Sequence, residues 1–152
     1  LADRVAIMNK GEISQIGDPD EVFRKPESEF IAAFTGMENI FKGECSHQEG
    51  ISAIKIDGYT IYSATCIGER EVYATVRPED ILLSRDPIVS SARNSFKGRI
   101  TDIKNNGMVI KVTIDVGIPI VSVMTRRGWD EMHLTEDEEV YLTFKASAVH
   151  VF

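Results

Sequence analysis

Two short sequences each appear twice beyond residue 40, and this duplication constrains the fold more than any other feature of the chain. Phe41-Lys42-Gly43-Glu44 returns as Phe96-Lys97-Gly98-Arg99, and Glu71-Val72-Tyr73-Ala74-Thr75-Val76 returns as Glu139-Val140-Tyr141-Leu142-Thr143-Phe144. A repeated unit that buries its apolar face against its own copy implies two lobes related by a pseudo-twofold axis. Across this region, residues 51–56, 59–64, 71–76, 108–116, 120–124 and 140–144 alternate apolar and polar positions, separated by Gly, Asp, Asn and Pro. Period-two runs with turn residues between them predict short antiparallel strands, and evenly spaced strands of this kind close into small barrels. One stretch departs from the pattern. Trp129, Met132 and His133 fall at helical spacing within 126–134, which predicts a single short helix and accounts for much of the extra length of the second copy.

The first 36 residues are organised differently. Val5, Ile7 and Met8 form one strand pattern, Asn9-Lys10-Gly11 a turn, and Ile13 and Ile16 a second strand. Asp18-Pro19-Asp20-Glu21 carries helix-start signals: a capping aspartate, proline at the first helical position and acids beside the positive end of the helix dipole. Pro26 interrupts this helix, and Phe30, Ile31 and Phe34 give a second apolar stripe ended by Gly36. Such a strand–strand–helix–helix unit has too little apolar surface to fold alone, so it is expected to pack on a segment outside this sequence or on a partner chain. The first residue is Leu1 rather than Met, and the chain reads as a piece of a longer protein.

Net charge of -7 and the lack of a basic cluster argue against a nucleic-acid partner. No apolar run approaches the roughly 18 residues of a membrane span, and no signal peptide opens the chain. Cys45 and Cys66 have no second pair with which to build a metal site and read as reduced thiols. His47, His133 and His150 are scattered without metal-ligand spacing, and no metal centre is expected.

Two stretches carry anion chemistry: Ser91-Ala92-Arg93-Asn94 and Lys145-Ala146-Ser147. A tetrahedral oxyanion presents acceptor oxygens alone, so its site must supply hydroxyls, N–H groups and a cation. In an acidic chain that site has to be built locally. The repeat adds a comparison. Following the matching strands, the first copy reads Arg77-Pro78-Glu79 and the second Lys145-Ala146-Ser147. Proline removes a backbone donor and glutamate repels an anion, so the linear order assigns anion binding to the second copy alone. Ser91–Asn94 also reads as an interlobe linker, Arg126-Arg127 as a solvated helix entry and Trp129 as a packing aromatic.

Several of these motifs resemble known families. Ala2-Asp3-Arg4-Val5, Gln15-Ile16-Gly17-Asp18-Pro19 and Phe23-Arg24-Lys25-Pro26 resemble the end of an ABC-type nucleotide-binding domain, although the chain lacks the G-x-x-x-x-G-K-[ST] phosphate loop, the ABC signature and the metal-binding acidic strand end. Arg77-Pro78-Glu79-Asp80 resembles the junction of transport-associated oligonucleotide-fold-like (TOBE) domains. Ser91-Ala92-Arg93-Asn94, Thr125 and Lys145-Ala146-Ser147 resemble the anion-contacting motifs of molybdate-binding (molbindin-like) lobes.

The resemblance implies a mainly β fold of duplicated oligonucleotide-fold-like barrels. Residues 1–36 would be a remnant of an ABC nucleotide-binding domain, and 37–152 a regulatory domain with lobes of about 37–88 and 89–152. It implies oxyanion binding by Ser91, Arg93, Asn94, Thr125, Lys145, Ala146 and Ser147, at an interface between lobes or subunits. Relatives often carry a serine three residues after the threonine; Gly128 stands there in this chain, and a cap or hydroxyl contact is expected to be lost.

The implied function is cytoplasmic sensing of molybdate or tungstate by an importer's ATP-binding subunit, at the inner face of the membrane, with high oxyanion inhibiting transport. This stretch would not be an enzyme and would need no cofactor, whereas the parent subunit would use ATP and Mg. The implied partners are a second copy, the remaining ATPase core and, through it, the permease. The alternative is a docking domain of an importer for sugar, sulfate or iron. A free-standing storage protein and a DNA-binding regulator fit the attached ABC-like segment and the charge less well.

Overall fold

A computed structural model describes residues 3–65 and 68–152; Cys66 lies outside the described residues. The chain opens with an antiparallel pair, β1 (Val5–Asn9) and β2 (Glu12–Gly17), followed by α1 (Pro19–Arg24) and α2 (Glu29–Phe34). Asp18 caps α1 by accepting from Glu21 N at 2.8 Å, and Ser28 caps α2 by accepting from Ile31 N at 3.3 Å. Each cap satisfies a backbone donor that the helix itself cannot. Ile7, Val22 and Ile31 form a small core of their own. Met8, Ile13, Ile16, Phe23 and Phe34 remain exposed, a large apolar surface for so short a segment.

The rest of the chain forms two five-stranded antiparallel sheets. The first half contributes β3 (Ile40–Gln48), β4 (Ile51–Ile56), β5 (Tyr59–Ser63), β6 (Arg70–Val76) and β7 (Leu82–Ser84). From the second half come β8 (Asn94–Asn105), β9 (Val109–Asp115), β10 (Pro119–Thr125), α3 (Arg126–Met132), β11 (Glu139–Phe144) and β12 (Val149–Val151). The sheet orders are β12-β6-β3-β4-β5 and β10-β9-β8-β11-β7. Each half therefore gives its last short strand to the other sheet. Val151 pairs with Ala74 as Leu83 pairs with Leu142. This exchange cuts across a lobe boundary at residues 88/89, because β7 belongs by sequence to the first half and by pairing to the second sheet. Side chains of both sheets, including Ile54, Ile61, Ile100, Ile114, Leu142 and Phe144, merge into one core.

The repeat predicted from sequence is visible contact by contact. In the ladder, Gly43 and Gly98 occupy matching places where strands cross closely. A Cβ on Gly98 would sit 2.6 Å from the Asp115 carbonyl oxygen, and one on Gly43 would collide with the Lys55 carbonyl oxygen. Lys42 pairs with Glu71 at 3.2 Å and Lys97 with Glu139 at 3.5 Å, and each ammonium lies 5.9 Å from the ring of Tyr73 or Tyr141. The second-copy helix ends at Met132, short of Leu134, because His133 turns left-handed at φ 53° and closes it. Arg85 fastens that end, donating to the carbonyls of Met132 and His133 and pairing with Glu138 at 2.7 Å. The guanidinium holds the Glu138 carboxyl below the usual carboxylate range.

His150 on β12 docks the N-terminal segment. Its Nε2–H donates to the Pro26 carbonyl at 2.8 Å, and its ring stacks on Phe152. Burial pushes its pKa down and the Lys25 cation adds to that, against the favourable bond to Pro26. A histidine with a depressed folded pKa contributes its full stability above the unfolded value of about 6.5 and loses it as pH falls through the folded value. The expected result is a melting temperature that drops on acidification below about pH 6.5. The drop should be smaller in His150→Leu, as measured by circular dichroism melts of both chains across pH 4.5 to 8.

Candidate anion-binding site

The exchange of β7 and β12 rearranges the candidate residues. Each strand is reached through a single 3-10 turn, Pro78–Asp80 before β7 and Ala146–Ala148 before β12. Ser63 Oγ, at the end of β5, donates to the Val149 carbonyl at 2.8 Å, and Ser122 Oγ, on β10, donates to the Ile81 carbonyl at 2.9 Å. The second junction thus sits on the first lobe and the first junction on the second lobe. Thr125, at the end of β10, goes with the Pro78–Asp80 side, whereas Ala146 accepts from Ala64 N at 3.1 Å beside β5. One chain does not bring Thr125 and the Lys145–Ser147 turn together.

The expectation that Arg77 alone suffers from acidic neighbours is corrected by the same exchange. Lys145 lines a cavity of about 380 Å³ with Glu79, Asp80, Ser90, Ala92 and Thr143. Ser147 faces the opposite way, into a cleft of about 230 Å³ that Arg77 also lines. Glu79 does pair with Arg77, Oε1 to Nη2 at 2.5 Å, so this carboxylate stands between both cations. A linear reading pairs each cation with the residues that follow it; the fold pairs it also with those of the other copy.

Ser91 and Arg93 lie exposed on the loop between β7 and β8, and Arg93 faces Gln48, Glu49, Ile51 and Tyr62. Asn94 differs from its neighbours. Its side chain is 1% exposed; Nδ2 donates to the Tyr62 carbonyl at 2.9 Å and Oδ1 accepts from Tyr62 N at 2.8 Å. Both ends of the amide are engaged within the scaffold. The same clasp occurs at Asn39, which donates to the Val121 carbonyl and accepts from Val121 N, both at 2.8 Å. Sequence reading passed over Asn39; its place two residues before the repeated Phe41 motif, like that of Asn94 before Phe96, is the signal that could have found it.

Thr125 Oγ1 accepts from Gly128 N at 3.1 Å, so the cap of α3 survives without a serine at 128. The threonine hydroxyl keeps its own proton to donate. Ala146 is buried in the turn, and Ser147 and Lys145 are exposed. Among the described residues there is no group of three or more His, Cys, Asp or Glu side chains placed to hold a metal ion, and no helix is long and apolar enough to cross a membrane.

Residues 90–151 match the model of the TOBE domain family. The whole chain is 40% identical to a molybdate/tungstate import ATP-binding protein, WtpC, of Pyrococcus horikoshii, of which it covers 43%. It is 36% identical over 76% of its length to a spermidine/putrescine import ATP-binding protein, PotA, of Trichormus variabilis, covering 32% of that protein. The chain therefore spans less than half the length of these relatives. Among solved structures it resembles ModG, a cytoplasmic molybdate-binding protein determined with molybdate bound, with a TM-score of 0.65, 22% identity, and coverage of 76% of this chain and 96% of that one. That likeness establishes a shared mainly β fold.

Proposed function

We propose that the chain, whose residues 90–151 match the TOBE domain family and which aligns over its whole length with a molybdate/tungstate import ATP-binding protein, is the oxyanion-sensing part of such a subunit. The whole-chain similarity carries this reading; the anion-competent residue types on the two exposed motifs support it. Ser91 and Thr125 supply hydroxyls, Arg93 and Lys145 cations, and the Ala146–Ser147 turn backbone N–H groups and a further hydroxyl. Asn94 belongs to the set as the anchor that starts β8 beside the loop. Since one chain separates Thr125 from Lys145, a second copy completes the site, Thr125 of one meeting the exposed motifs of the other.

Residues 1–36 are the end of the nucleotide-binding domain, and their exposed apolar side chains pack against the rest of that domain. ATP and Mg bind there rather than in this stretch, and the permease is reached through it, which places the domain at the cytoplasmic face. Oxyanion that binds more tightly to the arrangement with the ATPase halves apart shifts the population toward it; about a hundredfold difference in affinity is worth roughly 2.8 kcal/mol and changes the ratio of the two arrangements about a hundredfold. Cytoplasmic molybdate or tungstate then restrains its own uptake.

The similarity to a spermidine/putrescine import protein favours a second reading, a docking domain without an oxyanion site. Thermal melts separate the two. Saturating molybdate or tungstate, at about 100 times the dissociation constant, should stabilise the fold by about 2.7 kcal/mol and raise the melting temperature by about 5–10 °C. Sulfate should do little. No shift with any of the three supports the docking reading, and equal shifts point to a generic anion site.

A further inference from the structure

The cleft beside Arg77 has the composition that the linear sequence assigned to the other junction. It is lined from three separate parts of the chain: Arg24 and Lys25 at the end of α1, Arg77 and Asp80 at the first junction, and Ser147 and His150 at the second. Thr65 and Thr75 add hydroxyls to its wall, and Met37, Ala148 and Val149 add apolar surface. Arg24 is held by Asp20 at 2.6 Å, and Arg77 gives Nη2 to Glu79 while keeping its other N–H groups. Lys25 has no carboxylate partner among the described residues. Three cations thus line the cleft against the carboxylate of Asp80.

A second observation points to a ligand. Thr75 is 1% exposed, and its hydroxyl has no hydrogen-bond partner among the described residues. Buried hydroxyls almost always have one, and this one belongs to the wall of a cationic cleft of about 230 Å³. The pseudo-twofold axis supplies an internal comparison. The hydroxyl of Thr143, the counterpart of Thr75, also has no partner among the described residues, but its cavity holds Glu79 where the cleft has Ser147, and Leu82 where it has His150. One duplicated cavity became acidic and apolar, the other cationic and hydroxyl-lined.

We propose that this cleft binds a small tetrahedral oxyanion of the phosphate class, held by Arg77, Lys25 and the hydroxyls of Ser147, Thr65 and Thr75, and that its occupancy ties the N-terminal segment to the β region. The site shares Ser147 alone with the set proposed above and is complete within one chain. Since Lys25 belongs to the N-terminal segment and Arg77 and Ser147 to the β region, an anion between them links the two mechanically. On the function proposed above, occupancy of the cleft is thereby felt by the segment assigned to the nucleotide-binding domain.

Hydrogen exchange on the chain with and without millimolar inorganic phosphate tests this directly, with molybdate and sulfate as parallel arms. Phosphate should slow exchange across residues 19–37 several-fold. Arg77→Gln and Lys25→Gln should each weaken phosphate binding about tenfold or more, as expected for loss of a charge-assisted contact. Lys145→Gln should leave it unchanged. Lys25 is exposed, so that variant carries the test even if Arg77→Gln folds poorly. No protection by phosphate, or equal losses from Lys145→Gln and Lys25→Gln, overturns the proposal. Molybdate-driven pairing of chains without phosphate protection would overturn the cleft and leave the sensing reading standing.

Discussion

Asn94→Ala is expected to lower the melting temperature of the chain by about 6–12 °C, and Asn39→Ala to do the same. Each asparagine closes a two-bond clasp on a backbone segment of the opposite lobe, Asn94 on Tyr62 and Asn39 on Val121, and both side chains are 1% exposed. Alanine leaves a backbone N–H and a carbonyl without their partners at a part-buried lobe interface, a loss of about 3 kcal/mol for the pair of groups. In a chain of this size each kcal/mol is worth about 2–4 °C. Urea or thermal melts of the two variants read the effect. A variant at Asn94 that keeps its stability while losing oxyanion affinity would instead make the side chain a ligand. Similar losses at Asn39 and Asn94 would confirm that the duplicated fold uses both as interlobe clasps.

Those two residues also show how far the sequence could be read. The duplicated Phe-Lys-Gly and Glu-Val-Tyr segments predicted two related halves, and the halves are present down to matching ion pairs and the crowded glycines Gly43 and Gly98. Helix caps at Asp18 and Ser28 follow from local chemistry that needs no tertiary context. The exchange of β7 and β12 was not legible, because three-residue strands such as Leu82–Ser84 and Val149–Val151 carry no usable period. Missing that exchange misplaced the chemistry. Glu79 seemed to belong to Arg77 alone and Ser147 to Lys145, whereas the fold sets Glu79 also beside Lys145 and Ser147 beside Arg77. Asn94 entered the anion set as the last residue of the Ser91–Asn94 motif that resembles molbindin-like anion contacts; the strand that begins at this residue turns its side chain inward.

Oxyanion recognition is the central proposal, and Lys145 is an exposed cation of the proposed site. On the wild-type chain, calorimetric titration with molybdate or tungstate should show saturable binding, with chains pairing as ligand is added and little heat from sulfate. Lys145→Ala removes a charge-assisted contact worth about 1.5–3 kcal/mol, so affinity should fall by about ten- to a hundredfold. Lys145 is solvent-exposed and has no ion pair among the described residues, so melting of the unliganded variant should change little. Calorimetry on the two chains, with sedimentation at each endpoint, is the most direct measurement of the claim. The predicted result is tight molybdate binding by paired wild-type chains and a ten- to a hundredfold loss in the variant. Absence of binding, or identical titrations for wild type and Lys145→Ala, would contradict it.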